Sequence, residues 1–410
     1  MSYRKNMLYI LALTLVLKII VVLVAGPSYD LNSDDRSYLT TAQIWLDKGE
    51  FTYNDPDRPT VFITPLFPAL LALLMKVIGP GLVLEQTIRV LQAVMVTVAL
   101  YLVYRIGTRI FSEKVGFWGA TVSAFYLPLW LVSNFILTEA VFLLLLAWLV
   151  RIALQAMERP SVGRMILFGV VWALALYARP TIALWPGLLF LLLLVWKHLP
   201  WPVLLRSGLI VALVLVLCLL PWWVRNYEVS GGEFIALTKS GGNPLLLGTF
   251  PWKLPPVEVQ RTWHDTNNLW VNDASDNRWA KERIKEGFTQ DTLNYLAWYT
   301  VGKFAYFWGK IYYWRTIAGI PGAVVAVMHY AIVAFGFVGV WLARRNRPAL
   351  TLTLLFAYMS ILHMIYLAHG RYSVPLMPFL TLFAAYSFFR WQESGFRFRK
   401  PKTVETSPKF

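Results

Sequence analysis

The sequence has few charged residues and almost no cysteine, and both shortages exclude common classes of protein. Only 15% of its 410 residues are charged, whereas a soluble domain has about a quarter. The single cysteine, Cys218, excludes an intramolecular disulfide and a cysteine metal cluster. Acids are scarcer than bases, 22 against 38, so the net charge is +16. Because Lys and Arg gather between apolar segments, this charge fits the positive-inside rule and anionic lipid headgroups, and no nucleic-acid partner is expected.

Apolar residues are the largest class in the sequence. They make up 58% of the chain, and the mean hydropathy is +0.55. This composition predicts an all-α polytopic membrane protein, with spans of roughly 20 residues each. About ten transmembrane helices are expected, over residues 7–25, 88–104, 115–132, 140–150 with its flanks, 165–177, 182–196, 207–223, 323–342, 350–367 and 372–389.

The first apolar segment could be a cleaved signal peptide that ends at Ala25-Gly26. It is longer than the usual apolar region of a signal peptide, which has about 7 to 15 residues. An uncleaved first span is therefore the favoured interpretation.

The basic residues predict the orientation of the spans. With a cytoplasmic amino terminus, every short basic connection falls on one side, as the positive-inside rule demands. We therefore expect one transmembrane domain over residues 1–395, with extracytoplasmic loops at 26–84 and 228–321 and a basic cytoplasmic tail at 396–410.

Both long loops are expected to carry helices that lie at the membrane interface. In the first loop, a short helix over 37–47 should end at Gly49, with Ser33 or Asp34 as its cap. The apolar stretch 68–78 is too short to span comfortably and predicts an interfacial helix. In the second loop, residues 277–314 mix aromatic rings and cations in the manner of a helix along the headgroups. If residues 298–314 instead formed a transmembrane span, the predicted orientation of every later span would be reversed.

Two adjacent carboxylates, Asp34 and Asp35, follow closely after the first apolar segment in the run Ser33-Asp34-Asp35-Arg36-Ser37-Tyr38. A carboxylate just outside a bilayer can act as a general base. The alternative for Asp34 is a helix cap.

Three more ionisable residues fall on the same side of the membrane. Glu139 starts an otherwise apolar span, where it is either a partner of the helix dipole or a site residue. Arg179 lies at a corner, where snorkelling to headgroups is the alternative to a site role. Arg371 separates two apolar spans away from the basic side, which favours phosphate binding.

Acids and arginines at one membrane face suit the transfer of a sugar from a lipid-linked phosphate. A carboxylate base takes the proton of the acceptor hydroxyl, and cations stabilise the leaving phosphate. No general acid is required, because phosphate leaves as a stable anion. We expect Asp34 to be the base and the arginines to bind the phosphate.

The order of several short motifs resembles a known family. The motifs are Asp34-Asp35-x-x-Tyr38, Pro65-Leu66-Phe67-Pro68, Arg89 leading into Leu100-Tyr101-Leu102, Leu137-Thr138-Glu139, and Arg371-Tyr372-x-x-Pro375-Leu376-x-Pro378. In this order they look like the bacterial relatives of protein O-mannosyltransferases and the lipid A aminoarabinose transferase. These are GT-C glycosyltransferases that use polyprenyl-phosphate sugars.

The resemblance implies a GT-C membrane enzyme that transfers a sugar at the extracytoplasmic face, with inversion at the anomeric carbon. The implied partners are a polyprenyl-phosphate-linked sugar donor, a lipid, glycan or protein acceptor, and membrane lipids. Asp34 matches the catalytic acid of the family's Asp-Glu pair, and Asp35 stands in the place of the Glu. The implied substrate-binding residues are Tyr38, Arg89, Glu139, Arg179, His369, Arg371 and Tyr372.

One departure from the family concerns the donor phosphate. Where the aminoarabinose transferase has Glu-Lys ahead of its proline pair, this chain has Phe62-Ile63. Arg371 or lysines of the second loop would then supply the missing charge. A divalent metal is possible between the two adjacent carboxylates, although no His lies beside them, and no other cofactor is expected.

Two other classes of function compete with a transferase. A transporter or flippase for a lipid-linked saccharide usually places ionisable residues near mid-span and shows paired halves. Here the spans are nearly free of acids away from their ends, and no halves correspond. A non-catalytic scaffold would leave the acids and arginines without a shared role.

Overall fold

The computed structural model describes residues 2–264 and 266–397, and within them it is helical, with no strand. The predicted tail at 396–410 lies outside the described residues from residue 398 onward. The α-helices of the described part are α1 (Tyr3–Ala25), α2 (Asp34–Lys48), α3 (Leu66–Ile78), α4 (Leu82–Ile110), α5 (Glu113–Ala124), α6 (Leu127–Asn134), α7 (Glu139–Glu158), α8 (Val162–Ala178), α9 (Trp185–Val195), α10 (Trp201–Val229), α11 (Gly242–Leu247), α12 (Val257–Arg261), α13 (Leu269–Gln290), α14 (Thr292–Ala297), α15 (Lys303–Gly309), α16 (Gly322–Leu342), α17 (Arg347–Ile365), α18 (Gly370–Ser373) and α19 (Met377–Arg397).

Seven helical segments in the described residues are long and apolar enough to cross a membrane, or eight if α5 and α6 form one bent span. They contain α1, α4, α7, α10, α16, α17 and α19. Helix α8 and the segment Pro180–Val195 are apolar but shorter. The all-α membrane architecture is confirmed, whereas the number of about ten spans stays a prediction.

The span predicted over 115–132 is not one straight helix. Helices α5 and α6 meet at an angle of 57°. Pro128 has no N–H to donate to the carbonyl of Ala124, so the helical hydrogen-bond pattern is interrupted there, and Tyr126 has an extended backbone. The indole of Trp130 donates to the Ala124 carbonyl instead, at 2.8 Å. The bend therefore leaves no unpaired carbonyl at this position.

The short basic connections lie together at one end of the helix bundle. Arg109 near the end of α4 donates to Glu158 at the end of α7, with 2.7 Å between Nε and Oε1. Asn346, in the connection before α17, donates to the carbonyl of Ile110 at 3.0 Å. The ends of α4, α7 and α16 therefore share one face of the bundle, as the charge pattern predicts.

The two long loops contact each other at the opposite end. The amide of Lys239 donates to the Val61 carbonyl at 2.8 Å, and the hydroxyl of Tyr29 donates to the Thr316 carbonyl at 3.0 Å. Arg225 at the end of α10 donates to the Thr60 carbonyl at 2.7 Å. These contacts bring loops distant in sequence into one layer above the spans.

In the first loop, α2 begins three residues earlier than predicted and ends at Gly49 as predicted. Gly49 has a φ of +72°, a conformation in which a residue with a Cβ is strained. The expected cap is wrong, because Ser33 makes no capping hydrogen bond with its side chain. Helix α3 confirms the helix expected near 68–78, and its Val77 side chain is 79% exposed.

The second loop is more buried than the predicted interfacial helix. Its charged and aromatic stretch forms α13, α14, a turn of π-helix at Trp298–Gly302, and α15. Phe307 and Trp308 are buried, and the Trp308 indole donates to the Ser360 hydroxyl of α17 at 2.9 Å. Helix α15 therefore packs against α17, and the expectation that this stretch lies along the headgroups stays a prediction.

Candidate active site

A cavity of about 540 Å³ opens where the two long loops meet the ends of the spans. Its walls come from parts of the chain that are far apart in sequence. They are Asp34 and Tyr38 of α2, residues 62–64, Thr138, residues 178–184, four residues between 238 and 244, and residues of 358–372. Two of the wall residues, Arg179 and Arg371, carry a positive charge.

Four ionisable side chains form one cluster at this cavity. Nη1 of Arg371 lies 2.7 Å from Oδ2 of Asp34, and Nε of Arg371 donates to Oε1 of Glu139. The same Glu139 oxygen lies 2.6 Å from a terminal nitrogen of Arg179. Glu139 is therefore a buried bridge between two arginines, with a side chain only 1% exposed. Buried pairs of this kind need close geometry to offset the loss of hydration.

Helix ends position each member of the cluster. Glu139 is the first residue of α7, and Arg179 directly follows α8, where Pro180 prevents the helix from continuing. Nε of Arg179 donates to the Thr138 hydroxyl at 2.8 Å. Arg371 lies in the first turn of α18. The ends of three helices thus converge at the cavity. At a helix end an ionisable side chain can lie outside the apolar layer, where its charge would be costly.

Asp34 and Asp35 have different environments. The Asp34 side chain is 41% exposed and faces the cavity. Asp35 is buried, and its carboxylate accepts backbone amides from Leu31 at 2.7 Å, Ser33 at 3.0 Å and Arg36 at 2.9 Å. Asp35 is not part of the cavity wall. The contacts of Asp35 hold the turn that presents Asp34, and of the two acids only Asp34 lines the cavity; a catalytic role for either acid stays a prediction.

Arg89 is not brought to the cavity. It is 1% exposed, and its Nε donates to the carbonyl of Asn134 at 2.9 Å. It also pairs with Glu85, which contacts Arg36 at 2.8 Å. In this structure Arg89 does not line the cavity, because its contacts hold it between α4 and the end of α6; its role in substrate binding stays a prediction.

The other three predicted binding residues surround Arg371 and Asp34. Tyr38 and Tyr372 belong to the cavity wall. His369 lies outside the wall, and its Nδ1 accepts the backbone N–H of Arg371 at 3.1 Å. His369 therefore caps the turn that carries Arg371 rather than facing a ligand.

The tyrosines near Asp34 remain neutral hydroxyl groups. Burial raises the pKa of Tyr38, and the charge of Asp34 adds to this effect. The same two causes raise the pKa of Tyr53 to about 12. Burial lowers the pKa of His369, and the charge of Arg371 lowers it further. A neutral imidazole is required if Nδ1 is to accept the amide of Arg371.

Sequence reasoning missed several wall residues. Tyr358 and His363 of α17 both line the cavity, and so does Tyr366 just after that helix. The Tyr358 hydroxyl donates to the Thr181 carbonyl at 2.7 Å, beside Arg179. A histidine in an otherwise apolar span was an available signal, because ionisable residues in spans usually face the protein interior.

The residues around the cavity do not fit a divalent metal. Magnesium and calcium require several oxygen ligands, whereas the acids of this cluster, Asp34 and Glu139, are both paired with Arg371. Within residues 2–264 and 266–397, no group of three His, Cys, Asp or Glu side chains could hold a metal ion. The cations of this site are guanidinium groups.

The chain is similar to known membrane glycosyltransferases. A family model for dolichyl-phosphate-mannose-protein mannosyltransferase matches residues 57–224, which include Glu139 and Arg179 but not Asp34 or Arg371. By sequence, no curated protein gives a significant match.

Solved structures are similar over nearly the whole chain. ArnT from Cupriavidus metallidurans bound to undecaprenyl phosphate is 16% identical, with a TM-score of 0.55 over 93% of this chain and 62% of that one. The archaeal oligosaccharyltransferase AglB from Archaeoglobus fulgidus, in complex with an inhibitory peptide and a dolichol-phosphate, is 13% identical. Its TM-score is 0.55, over 100% of this chain and 53% of that one.

These likenesses agree with each other on architecture. The chain spans between half and two thirds of the length of both solved neighbours, and at such low identity the likeness shows the fold. Together with the apolar helices of span length, the matches identify this chain as a multi-pass membrane protein with the GT-C glycosyltransferase fold.

Proposed function

We propose that this protein transfers a sugar from a polyprenyl-phosphate donor to an acceptor hydroxyl, in a cavity that opens at the extracytoplasmic face. The observation that carries the proposal is the pairing of exposed Asp34 with Arg371 at the cavity wall, at 2.7 Å. A base and a phosphate-binding cation are thereby held in one place. The solved neighbours, one bound to undecaprenyl phosphate and one to a dolichol-phosphate, support a donor of this class.

The arginines are arranged to take up a phosphate. Within the part of the chain that the structure describes, Nη2 of Arg371 and Nη1 of Arg179 make no hydrogen bond. Glu139 accepts from Nε of Arg371 and lies against a terminal nitrogen of Arg179. Planar guanidinium groups match phosphate oxygens through paired hydrogen bonds. Two arginines can therefore supply the charge that the Phe62-Ile63 departure removes.

Asp34 is the proposed base. Its carboxylate takes the proton from the acceptor hydroxyl while the acceptor oxygen forms a bond to the anomeric carbon of the sugar. The bond between that carbon and the phosphate oxygen breaks, and the electron pair leaves with the phosphate, which Arg371 and Arg179 stabilise. A single displacement of this kind inverts the configuration at the anomeric carbon.

The proposal is tested with purified protein in lipid nanodiscs, a set of radiolabelled polyprenyl-phosphate sugars and a membrane extract as acceptor. The measurements are transferred label and released polyprenyl phosphate. Asp34→Asn should lower the rate by about a hundredfold to ten-thousandfold, the usual cost of losing a general base. Asp57→Asn is the matched control, because Asp57 is an exposed acid of the same loop. Normal transfer by Asp34→Asn, with donor binding intact, would contradict this role of Asp34.

A further inference from the structure

A second, smaller polar cavity lies at the basic end of the bundle, between α4 and α7. Its volume is about 120 Å³, and three of its seven lining residues are arginines: Arg105, Arg109 and Arg151. Gln155 and Thr108 are the neutral polar residues of the wall. Nothing in the transferase mechanism uses this cavity.

The positive charge of these arginines is only partly balanced by neighbouring acids. Arg109 forms an ion pair with Glu158 through two of its nitrogens. Nη1 of Arg105 donates to the hydroxyl of Tyr101 at 3.3 Å. Within residues 2–264 and 266–397, neither Arg105 nor Arg151 has an ion pair with an acid. Two cations therefore face one small space without a counterion.

Snorkelling does not account for this arrangement. Arg151 lies seven residues before the end of α7 and is half-buried, so its backbone is about 10 Å inside the helix end. Arg105 lies five residues before the end of α4 and is exposed. Snorkelling to water and headgroups can explain the exposed Arg105, but not the half-buried Arg151 in the wall of the same cavity. Holding like charges together costs free energy unless an anion compensates them.

The cavity is separate from the candidate active site. Arg151 follows Glu139 by twelve residues on the same helix, which corresponds to about 18 Å along the axis. The two sites therefore lie toward opposite ends of α7.

We propose that this cavity binds a phosphate group, at the depth of the lipid headgroups on the side of the membrane opposite the catalytic cavity. Arg105 and Arg151 provide the charge and the paired N–H donors that phosphate oxygens accept. Gln155 adds an amide donor from the next turn of α7. An anionic phospholipid and a soluble phosphate share this chemistry, and the experiment distinguishes between them.

The test measures lipid binding to purified full-length protein by native mass spectrometry, with phosphatidylglycerol or phosphatidylcholine added in equal amounts. The wild type should prefer phosphatidylglycerol. The double variant Arg105→Gln/Arg151→Gln should lose at least about tenfold in affinity, since each charge-assisted contact removed has about that effect. The control Arg159→Gln/Arg345→Gln removes the same charge from exposed residues of the basic loops and should stay within about twofold.

A second arm identifies the source of the phosphate. Thermal denaturation of delipidated protein is followed with inorganic phosphate added. Stabilisation by phosphate that depends on Arg105 and Arg151, without preference for phosphatidylglycerol, would assign the cavity to a soluble phosphate. The proposal is overturned if the two double variants behave alike, or if neither phosphatidylglycerol nor inorganic phosphate binds. Unchanged thermal stability of Arg105→Gln/Arg151→Gln without ligand verifies that this variant folds.

Discussion

Nη1 of Arg371 lies 2.7 Å from Oδ2 of Asp34, although 337 positions separate the two residues in sequence. This contact joins the first loop to the last span. Because Glu139 binds Arg371 from the other side, the guanidinium group is held between two carboxylates. The pairing therefore fixes this guanidinium group in the cavity wall.

Arg371→Ala should weaken the use of the donor more than the use of the acceptor. Loss of one charge-assisted contact typically lowers affinity about tenfold to a hundredfold. Arg371→Lys should rescue only part of this loss, because lysine keeps the charge but not the planar fork. The measurement is a donor titration at saturating acceptor. A change confined to acceptor dependence would place the donor phosphate elsewhere, for example beside Arg179.

Glu139→Gln should destabilise the protein and make its stability depend on the donor lipid. Removing one partner of a buried ion pair typically costs about 3 to 5 kcal/mol, because the remaining charge is left uncompensated. Polyprenyl phosphate should then raise the thermal midpoint more in Glu139→Gln than in the wild type, since the phosphate would compensate Arg179 and Arg371. Differential scanning fluorimetry measures both midpoints.

Glu233→Gln is the control for this comparison, because Glu233 pairs with Lys239 in an exposed position. An exposed pair contributes at most about 1 kcal/mol. If Glu139→Gln were as stable as Glu233→Gln, the buried bridge would have no structural role.

Asp35→Asn should reduce stability but leave transfer measurable, unlike Asp34→Asn. The carboxylate of Asp35 accepts three backbone amides, and an amide side chain can accept with only one oxygen. Lost capping bonds of this kind typically cost about 0.5 to 2 kcal/mol. Transfer rate and thermal midpoint should be compared at several temperatures. An inactive Asp35→Asn variant with an unchanged midpoint would make Asp35 a catalytic residue.

Single cysteines should report the predicted orientation. In a Cys218→Ser background, cysteines at Asp57 and Asn267 should react with an impermeant maleimide from outside, and those at Lys114 and Arg345 should be protected. All four positions are exposed, so burial does not limit the reaction. Gly370 is unsuitable for this test, because a Cβ there would lie 1.9 Å from the Lys310 carbonyl. Labelling of Asp57 and Asn267 from opposite faces would refute the assignment of both loops to one side.

Lys303 should make stability depend on pH. Burial lowers the pKa of Lys303 to about 7, against about 10.4 in an unfolded chain. Between these values the unfolded state binds more protons, so stability should rise with pH from about 7 to about 10. Below pH 7 the lysine is protonated in both states and contributes no slope.

Lys303→Met should reduce this rise. The substitution also removes the contact between Nζ and the Tyr366 carbonyl, at 2.8 Å, so the slope and not the absolute midpoint is compared. Thermal midpoints of both proteins are measured at intervals across this pH range. Identical slopes would mean that Lys303 is not the group responsible.

Helix content and several boundaries followed from local chemistry. An apolar segment in lipid must satisfy its own backbone groups, and the helix does so within one segment. The prediction that α2 ends at Gly49 was confirmed, because a positive φ favours glycine whatever surrounds it. The clustering of basic loops at one end was also predictable, since that charge bias is a property of each connection.

Only the tertiary structure showed that Asp34 and Asp35 have different environments and that Arg89 does not line the cavity. Adjacent acids have the same local chemistry, and their roles depend on whether backbone amides or a distant arginine lie nearby. Arg89 matched a motif, but its partners come from the end of α6 and from Glu85. The burial of α15 could not be predicted from the sequence either, because an alternation of aromatic rings and cations suits both a headgroup layer and a packed protein surface.

Composition and charge pattern were enough to predict the apolar helices, the grouping of basic connections at one end and the set of ionisable residues from which the candidate site is drawn. Which of those residues meet depends on the packing of the helices. Periodicity and propensity act over a few neighbouring residues, whereas the contact between Asp34 and Arg371 depends on how the helices from α3 to α17 pack. Glu139 became a bridge for the same reason: its two arginine partners follow α8 and begin α18, and only packing brings both of those helix ends to the start of α7.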